Sequence, residues 1–178
     1  MQDEESLVRC AQKHDQAALT QIYEENFDRI YRYIVLKIGE RTEAEDMTQQ
    51  VFLSAFKSIS SFKYRQGTPF SAWLYRIAHN QMVDYIRKKS KRPTVPLDES
   101  LASSSSDPKL EAERNLNIRQ LVLATGKLTK AQREVISLRF ASELPVAEVA
   151  KIMGKSEGAV KALQHSAILS LRKVLAVG

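Results

Sequence analysis

The sequence predicts an all-α chain built as two small helical domains on a flexible linker. Three observations predict it. Apolar residues recur at three- and four-residue spacings along most of the 178 residues, with almost no alternation of the strand type. The few glycines and prolines sit at joints between these periodic stretches. One segment, Ser90 to Asp107, leaves the pattern altogether. It carries Pro93, Pro96 and the run Ser103, Ser104, Ser105, Ser106, a composition of tethers rather than cores. The expected division is residues 1–92, a linker over 93–107, and residues 108–178.

Each element has its own signal. A short helix is predicted from about Asp3 to Lys13. A longer one runs from Gln16 to Ile38, with Leu19, Ile22, Tyr23, Phe27, Ile30, Tyr31 and Ile34 on one stripe. Gly39 breaks it, and a third helix covers Thr42 to Ser58. A polar loop over Ser60 to Thr68 leads to Pro69, a first-turn residue, and a fourth helix to about Lys89. Asp107 and Pro108 pair an N-cap with a first-turn proline, so a helix restarts there and runs to Thr125 before Gly126. Thr129 with Gln132 forms a capping box for the next helix, which carries Val135, Ile136, Leu138 and Phe140. Two more helices follow, Val146 to Met153 and Ser156 to Val174.

Composition excludes several classes. A hydrophobic content of 43% is enough for packed cores, but splitting the chain in two makes each core small. The net charge of +6 favours anionic partners. That charge is uneven: Asp3, Glu4, Glu5, Asp15, Glu24, Glu25 and Asp28 make the start acidic, whereas Arg87, Lys88, Lys89, Lys91 and Arg92 are purely basic. Cys10 is the sole cysteine, so it has no internal disulfide partner, which fits a reducing compartment. No apolar run reaches the ~20 residues of a membrane span, and the acidic start is unlike a signal peptide. A cytoplasmic location is expected. His14, His79 and His165 fall on different helices, and there is no nucleophile–base set, phosphate loop or metal-spaced cluster. Neither catalysis, a metal nor a cofactor is expected.

Two constellations point to nucleic acid. In the carboxy-terminal part, Val149, Ala150, Met153, Gly154, Val160 and Leu163 have the offsets of a helix-turn-helix, with small Ala150 at the helix crossing and Gly154 in the turn. An ordinary helical hairpin uses similar residues. If the unit binds DNA, Ser156 caps the reading helix. Glu157, Lys161, Gln164 and His165 face outward, and Gly158 and Ala159 permit close approach. In the amino-terminal part, Arg76, Asn80 and Arg87 fall together on the fourth helix and continue into Lys88, Lys89, Lys91 and Arg92, a ridge suited to a phosphate backbone. The preceding loop interleaves Phe62, Lys63, Tyr64, Arg65 and Gln66, which suits capture of an unstacked base. It equally suits a surface loop with Phe62 tucked into the core. On the third helix, Met47, Val51, Phe52, Ala55, Phe56 and Ile59 form a core side. Asp46, Gln49, Gln50, Leu53 and Lys57 share the other side, where one leucine among polar groups fits a protein-binding patch or a plain solvent face.

Three stretches in order resemble a known family. Glu43-Ala-Glu-Asp-Met-Thr-Gln-Gln-Val-Phe-Leu53 resembles the polymerase-binding segment of sigma region 2. Phe70-Ser-Ala-Trp-Leu-Tyr-Arg-Ile-Ala-His-Asn80, with Asp84 and Arg87, resembles the promoter −10 segment. Leu128-Thr-Lys-Ala-Gln-Arg-Glu-Val-Ile-Ser-Leu-Arg-Phe140 and the helix-turn-helix resemble region 4. The resemblance is to the extracytoplasmic-function sigma factors of the sigma-70 family and covers nearly everything but the linker.

The resemblance implies a sigma factor that binds core RNA polymerase and directs promoter-specific initiation. It implies that Asp46, Gln49, Gln50 and Leu53 dock on the β′ clamp helices, and that the Phe62–Thr68 loop and fourth helix open and read the −10 element. Region 4 would read the −35 element and touch the β-flap, the linker would thread towards the active cleft, and an anti-sigma factor would hold the protein inactive. Ala162 and Ser166 depart from the pattern where many members are basic, and Gln50 replaces a common glutamate. The competing reading is a helix-turn-helix regulator with a helical sensor domain, which would bind promoter DNA without polymerase.

Overall fold

The computed structural model describes residues 3–65, 68–92 and 107–177. Residues 93–106 of the expected linker (93–107), together with Gln66 and Gly67, lie outside the described residues. Local chemistry sets most boundaries. α1 (Glu4–Gln12) is joined by a tight turn to α2 (Gln16–Ile38), where the Asp15 carboxylate accepts from the Ala18 N–H at 2.8 Å. Gly39 closes α2 at φ +80°, a left-handed conformation that favours glycine. α3 (Arg41–Ser58) is capped by Glu40, which accepts from the Thr42 and Glu43 N–H groups. A 3-10 turn (Ile59–Ser61) ends it. After the loop comes α4 (Phe70–Ser90).

The carboxy-terminal half begins with α5 (Pro108–Gly126), capped by Asp107. Both halves of the Thr129–Gln132 capping box form at the start of α6 (Lys130–Ile136). The helix expected to continue through Phe140 changes character here. Residues Ser137–Ala141 form a π-helical turn, closed by the Ser142 N–H on the Ser137 carbonyl at 3.0 Å. The wider turn shifts the register. Leu138 is fully buried, but Phe140, expected on the apolar stripe, is left exposed. α7 (Val146–Met153) ends at Gly154, φ +63°, and α8 (Glu157–Val177) follows. There is no strand among the described residues.

Within the first half, α1, α3 and α4 surround α2, burying Ile22, Ile30, Ile34, Val51, Phe52 and Leu74. Within the second, α6, α7 and α8 close over Val135, Leu138, Val149, Val160 and Ala167. The sequence predicts two small helical domains on a linker and leaves open whether they pack together. The two halves dock, α2 against α5 and the π turn and α4 against α7, and their buried residues form one continuous cluster.

The docking is fastened by polar groups. Glu134 of α6 reaches α2, where it accepts from the Tyr33 hydroxyl at 2.6 Å and pairs with the Lys37 ammonium. Lys37 also donates to that hydroxyl at 3.2 Å, and His79 Nδ1 of α4 lies 3.3 Å from it. The Lys37 and Glu134 side chains are only 10% and 20% exposed. Burial lowers the Lys37 pKa, Glu134 opposing it, and burial together with Glu134 holds Tyr33 protonated well above the tyrosine range. Around this centre the Ser142 hydroxyl donates to the Arg29 carbonyl at 3.0 Å, Arg32 pairs with Glu143 at 3.6 Å, and Arg41 with Glu111 at 3.9 Å. A Cβ added at Gly39 would meet Val122 of α5 at 3.4 Å, so the glycine also admits the second half.

Candidate nucleic-acid interface

α3 divides as its periodicity requires. Met47, Val51, Phe52 and Ala55 are buried and Phe56 is half-buried, while Asp46, Gln49, Gln50 and Leu53 are all exposed. Leu53 leaves 51% of its surface to solvent on a helix whose apolar positions are otherwise covered. A shallow cleft of about 300 Å³ between α3 and α4, lined by Glu43, Asp46, Met47, Gln50, Gln81 and Tyr85, adjoins this face.

The basic ridge lies along the outside of α4. Arg76, Asn80, Arg87, Lys88, Lys89, Lys91 and Arg92 are all exposed. Two of its cations are partly neutralised: Arg87 sits 2.9 Å from Asp84, and Lys89 lies 3.1 Å from Glu43 and 3.2 Å from the Tyr85 hydroxyl. The hydrogen bond to Tyr85 and the Glu43 carboxylate raise the Lys89 pKa. Arg76, Lys88, Lys91 and Arg92 make no ion pair among the described residues, so their charge faces solvent.

The loop alternates. Phe62 is 6% exposed, and its ring packs on Tyr64, Phe70 and Trp73 at centroid distances of 4.9, 5.4 and 5.2 Å. Tyr64 is half-buried; Lys63 and Arg65 are exposed. The Phe62 ring named among the −10 contacts therefore faces the core, and the exposed side chains next to it are the cations Lys63 and Arg65. Trp73 belongs to the same aromatic cluster.

In the helix-turn-helix, Val149 and Ala150 of α7 meet Val160 of α8, all buried. Ser156 caps α8, accepting from the Ala159 N–H at 3.1 Å. Glu157, Gly158, Lys161 and His165 are exposed on its first turns. Gln164, expected to face fully outward, is half-buried because its carbonyl oxygen accepts from Arg139 Nε at 2.9 Å. Arg139 also donates to the Leu144 carbonyl, so the π turn holds Gln164 through its carbonyl oxygen. Sequence spacing gave no sign of this partner, 25 residues away. Ser166, which departs from the family's basic pattern, accepts from the Gln132 amide at 2.8 Å and serves inside the domain.

Comparison with known proteins bears on these surfaces together. Residues 22–92 match Sigma-70 region 2, and residues 124–173 match Sigma-70 region 4. The chain is 33% identical over 183 residues to the ECF RNA polymerase sigma factor SigW of Bacillus subtilis (strain 168), covering 94% of each. The chain belongs to the ECF RNA polymerase sigma factors. It is also 37% identical over 171 residues to the ECF RNA polymerase sigma factor BldN of Streptomyces coelicolor, 95% of this chain but only 64% of that relative's length. The solved structure of CnrH in complex with the cytosolic domain of CnrY has the same fold, with a TM-score of 0.75, 24% identity and coverage of 98% and 97% of the two chains. In this sigma factor the α3 face, the loop and the α4 ridge lie within region 2, and the helix-turn-helix within region 4. α1 lies outside both matched segments.

Proposed function

We propose that this sigma factor divides initiation among three surfaces. The exposed face of α3, Asp46, Gln49, Gln50 and Leu53, docks on the clamp helices of the polymerase β′ subunit. The loop and α4, through Lys63, Arg65, Arg76, Asn80, Arg87, Lys88, Lys89, Lys91 and Arg92, hold and open the −10 element. The start of α8, with Ser156, Glu157, Gly158, Lys161, Gln164 and His165, reads the −35 element, while region 4 also meets the β-flap. The protein works with polymerase in the cytoplasm, under an anti-sigma factor. No helix of the described residues is long and apolar enough to cross a membrane.

The observation that carries this reading is the division of α3, where an exposed leucine sits among carboxylate and amide groups directly opposite a filled core stripe. Chemistry separates the other two roles. The ridge cations of α4 meet every phosphate alike, whereas an amide or ammonium in the major groove distinguishes base edges.

The docked arrangement is the resting form of this cycle. A compact chain of 178 residues has a radius of gyration of ~16 Å. Two promoter elements about 25 base pairs apart are separated by ~85 Å at 3.4 Å per step. The docked halves are too small to reach both. The 15 residue steps from Arg92 to Asp107 span at most ~50 Å, which together with the two domain radii approaches the required distance. The sigma factor opens on polymerase. In vitro transcription by reconstituted holoenzyme on a randomised promoter library tests the assignment. Selection of paired −10 and −35 sequences is expected only with core polymerase present, and sequence-specific binding by the isolated chain would favour the regulator reading.

A further inference from the structure

α1 has no role in either matched region, yet it holds both ends of the loop that precedes α4. At one end, the Gln12 side-chain amide donates to the Ile59 carbonyl at 3.0 Å and to the Phe62 carbonyl at 2.8 Å. The Ser60 hydroxyl approaches the Gln12 carbonyl at 3.5 Å. At the other end, Glu4 Oε1 accepts from the Phe70 N–H at 3.1 Å and lies 3.3 Å from the Tyr64 hydroxyl. The Phe70 N–H opens α4, whose N-cap is Pro69 and makes no side-chain capping bond. Glu4 supplies that cap from another helix, where a carboxylate also meets the positive end of the dipole. Leu7, Val8 and Ala11, buried between the two anchors, fix α1 to the core.

The anchors determine what the loop presents. Glu4 and Gln12 are eight residues apart on a helix, roughly 12 Å. Between them Phe62 is extended, with φ −67° and ψ 132°. Side chains in extended backbone point alternately to opposite sides. With the Phe62 carbonyl pinned by Gln12 and the Tyr64 hydroxyl held by Glu4, Phe62 and Tyr64 turn inward, and Lys63 and Arg65 turn outward together. A slip of one residue would exchange the two pairs. Burial and the Glu4 carboxylate keep the Tyr64 hydroxyl protonated above its usual range, as suits an inward anchor.

We propose that Glu4 and Gln12 are positioning residues for reading the −10 element: α1 sets the register of the loop so that Lys63 and Arg65, not Tyr64, face the DNA strand. This rests on the assignment of the loop to the −10 element. The test uses full-length variants assembled into holoenzyme: Glu4→Ala, Glu4→Gln, Gln12→Leu and, as reference, Arg65→Ala. Base preference across a randomised −10 element and promoter opening, read by permanganate reactivity of unpaired thymines, are measured alongside core affinity, −35 preference and Tm. Each of Glu4→Ala and Gln12→Leu should flatten −10 preference and slow opening by about fivefold, the worth of one to two hydrogen bonds. Core affinity and −35 preference should hold, and Glu4→Gln, which keeps an acceptor, should recover part of the loss. If Arg65→Ala leaves −10 preference unchanged, the loop assignment itself fails. If Arg65→Ala alters it while Glu4→Ala and Gln12→Leu change only Tm, the loop assignment stands and the positioning role is overturned.

Discussion

Replacing Glu134 by Gln tests how the two halves are held together. The substitution keeps the shape and an acceptor for the Tyr33 hydroxyl but removes the charge facing Lys37, an ammonium only 10% exposed. Breaking a fully buried pair costs roughly 3–5 kcal/mol, because one charge is left unpaired. Both side chains here keep some contact with water, so about 2–3 kcal/mol is the appropriate figure. In the docked form alone, that raises the opening constant about 30- to 150-fold, at tenfold per 1.4 kcal/mol. Lys37→Met should act in the same direction. The double variant Lys37→Met/Glu134→Leu should close again, because an apolar pair of similar volume replaces a buried ion pair at little cost. The assay is single-molecule energy transfer between dyes at Lys57→Cys and Arg172→Cys, both exposed, in a Cys10→Ala background. Identical distance distributions for Glu134→Gln and the parent would show that this cluster does not hold the docked form.

Four other outcomes are expected. Asp46→Ala and Leu53→Ala should each weaken core polymerase binding without lowering Tm, since both are exposed; titration of labelled sigma factor with core polymerase measures this. Neutralising Lys88, Lys91 and Arg92 singly should weaken holoenzyme binding to all promoters alike and lower the salt slope by roughly one unit each. Lys161 and Gln164 variants should instead change the preferred −35 sequence, Lys161 by up to roughly 1–3 kcal/mol and Gln164 by less, because its amide oxygen is already held by Arg139. Raising the pH should open the docked form once it passes about 10, the ordinary tyrosine value. Tyr33 and Tyr75 are both shifted upward by burial, so their contribution is complete below that value and lost above it. The lowered pKa of Lys37 works against this, because docking is favoured as that amine sheds its proton. Tyrosinate absorbance recorded with interdomain energy transfer would follow both.

What was legible in the sequence was mostly local. Gly39, Asp107, Thr129 and Gly154 act within a few residues of themselves, so their caps and turns follow from spacing, as does the two-sided character of α3. Contacts between distant segments were not legible. Glu134 lies 97 residues from Lys37, and nothing in either helix's own periodicity marks a half-buried charge as a partner rather than a solvated one. Gln164 was assigned outward from helical phase alone, because its phase carries no trace of Arg139 on the π turn. Phe62 sat between two readings since an aromatic in a cationic loop serves base stacking or core packing equally well; the neighbouring rings of Phe70 and Trp73 place it in the core. Glu4 and Gln12 look like ordinary polar residues of an amphipathic helix until the loop they hold is seen.

The fastenings between the halves bear on what happens after they part. An interface held by aliphatic surface would leave two adhesive patches, each prone to capture by other chains. Here the apolar contact that joins the two clusters, Val122 over Gly39 included, is bordered by Tyr33, Lys37, Arg32, Arg41, Glu111, Glu134 and Glu143. Every one of these bordering side chains carries a group that water takes up readily on exposure. Parting the halves therefore hydrates the polar border and limits the apolar surface left uncovered. If the docked form is the resting form proposed above, this polar border favours reversible opening at the expense of a tighter closure.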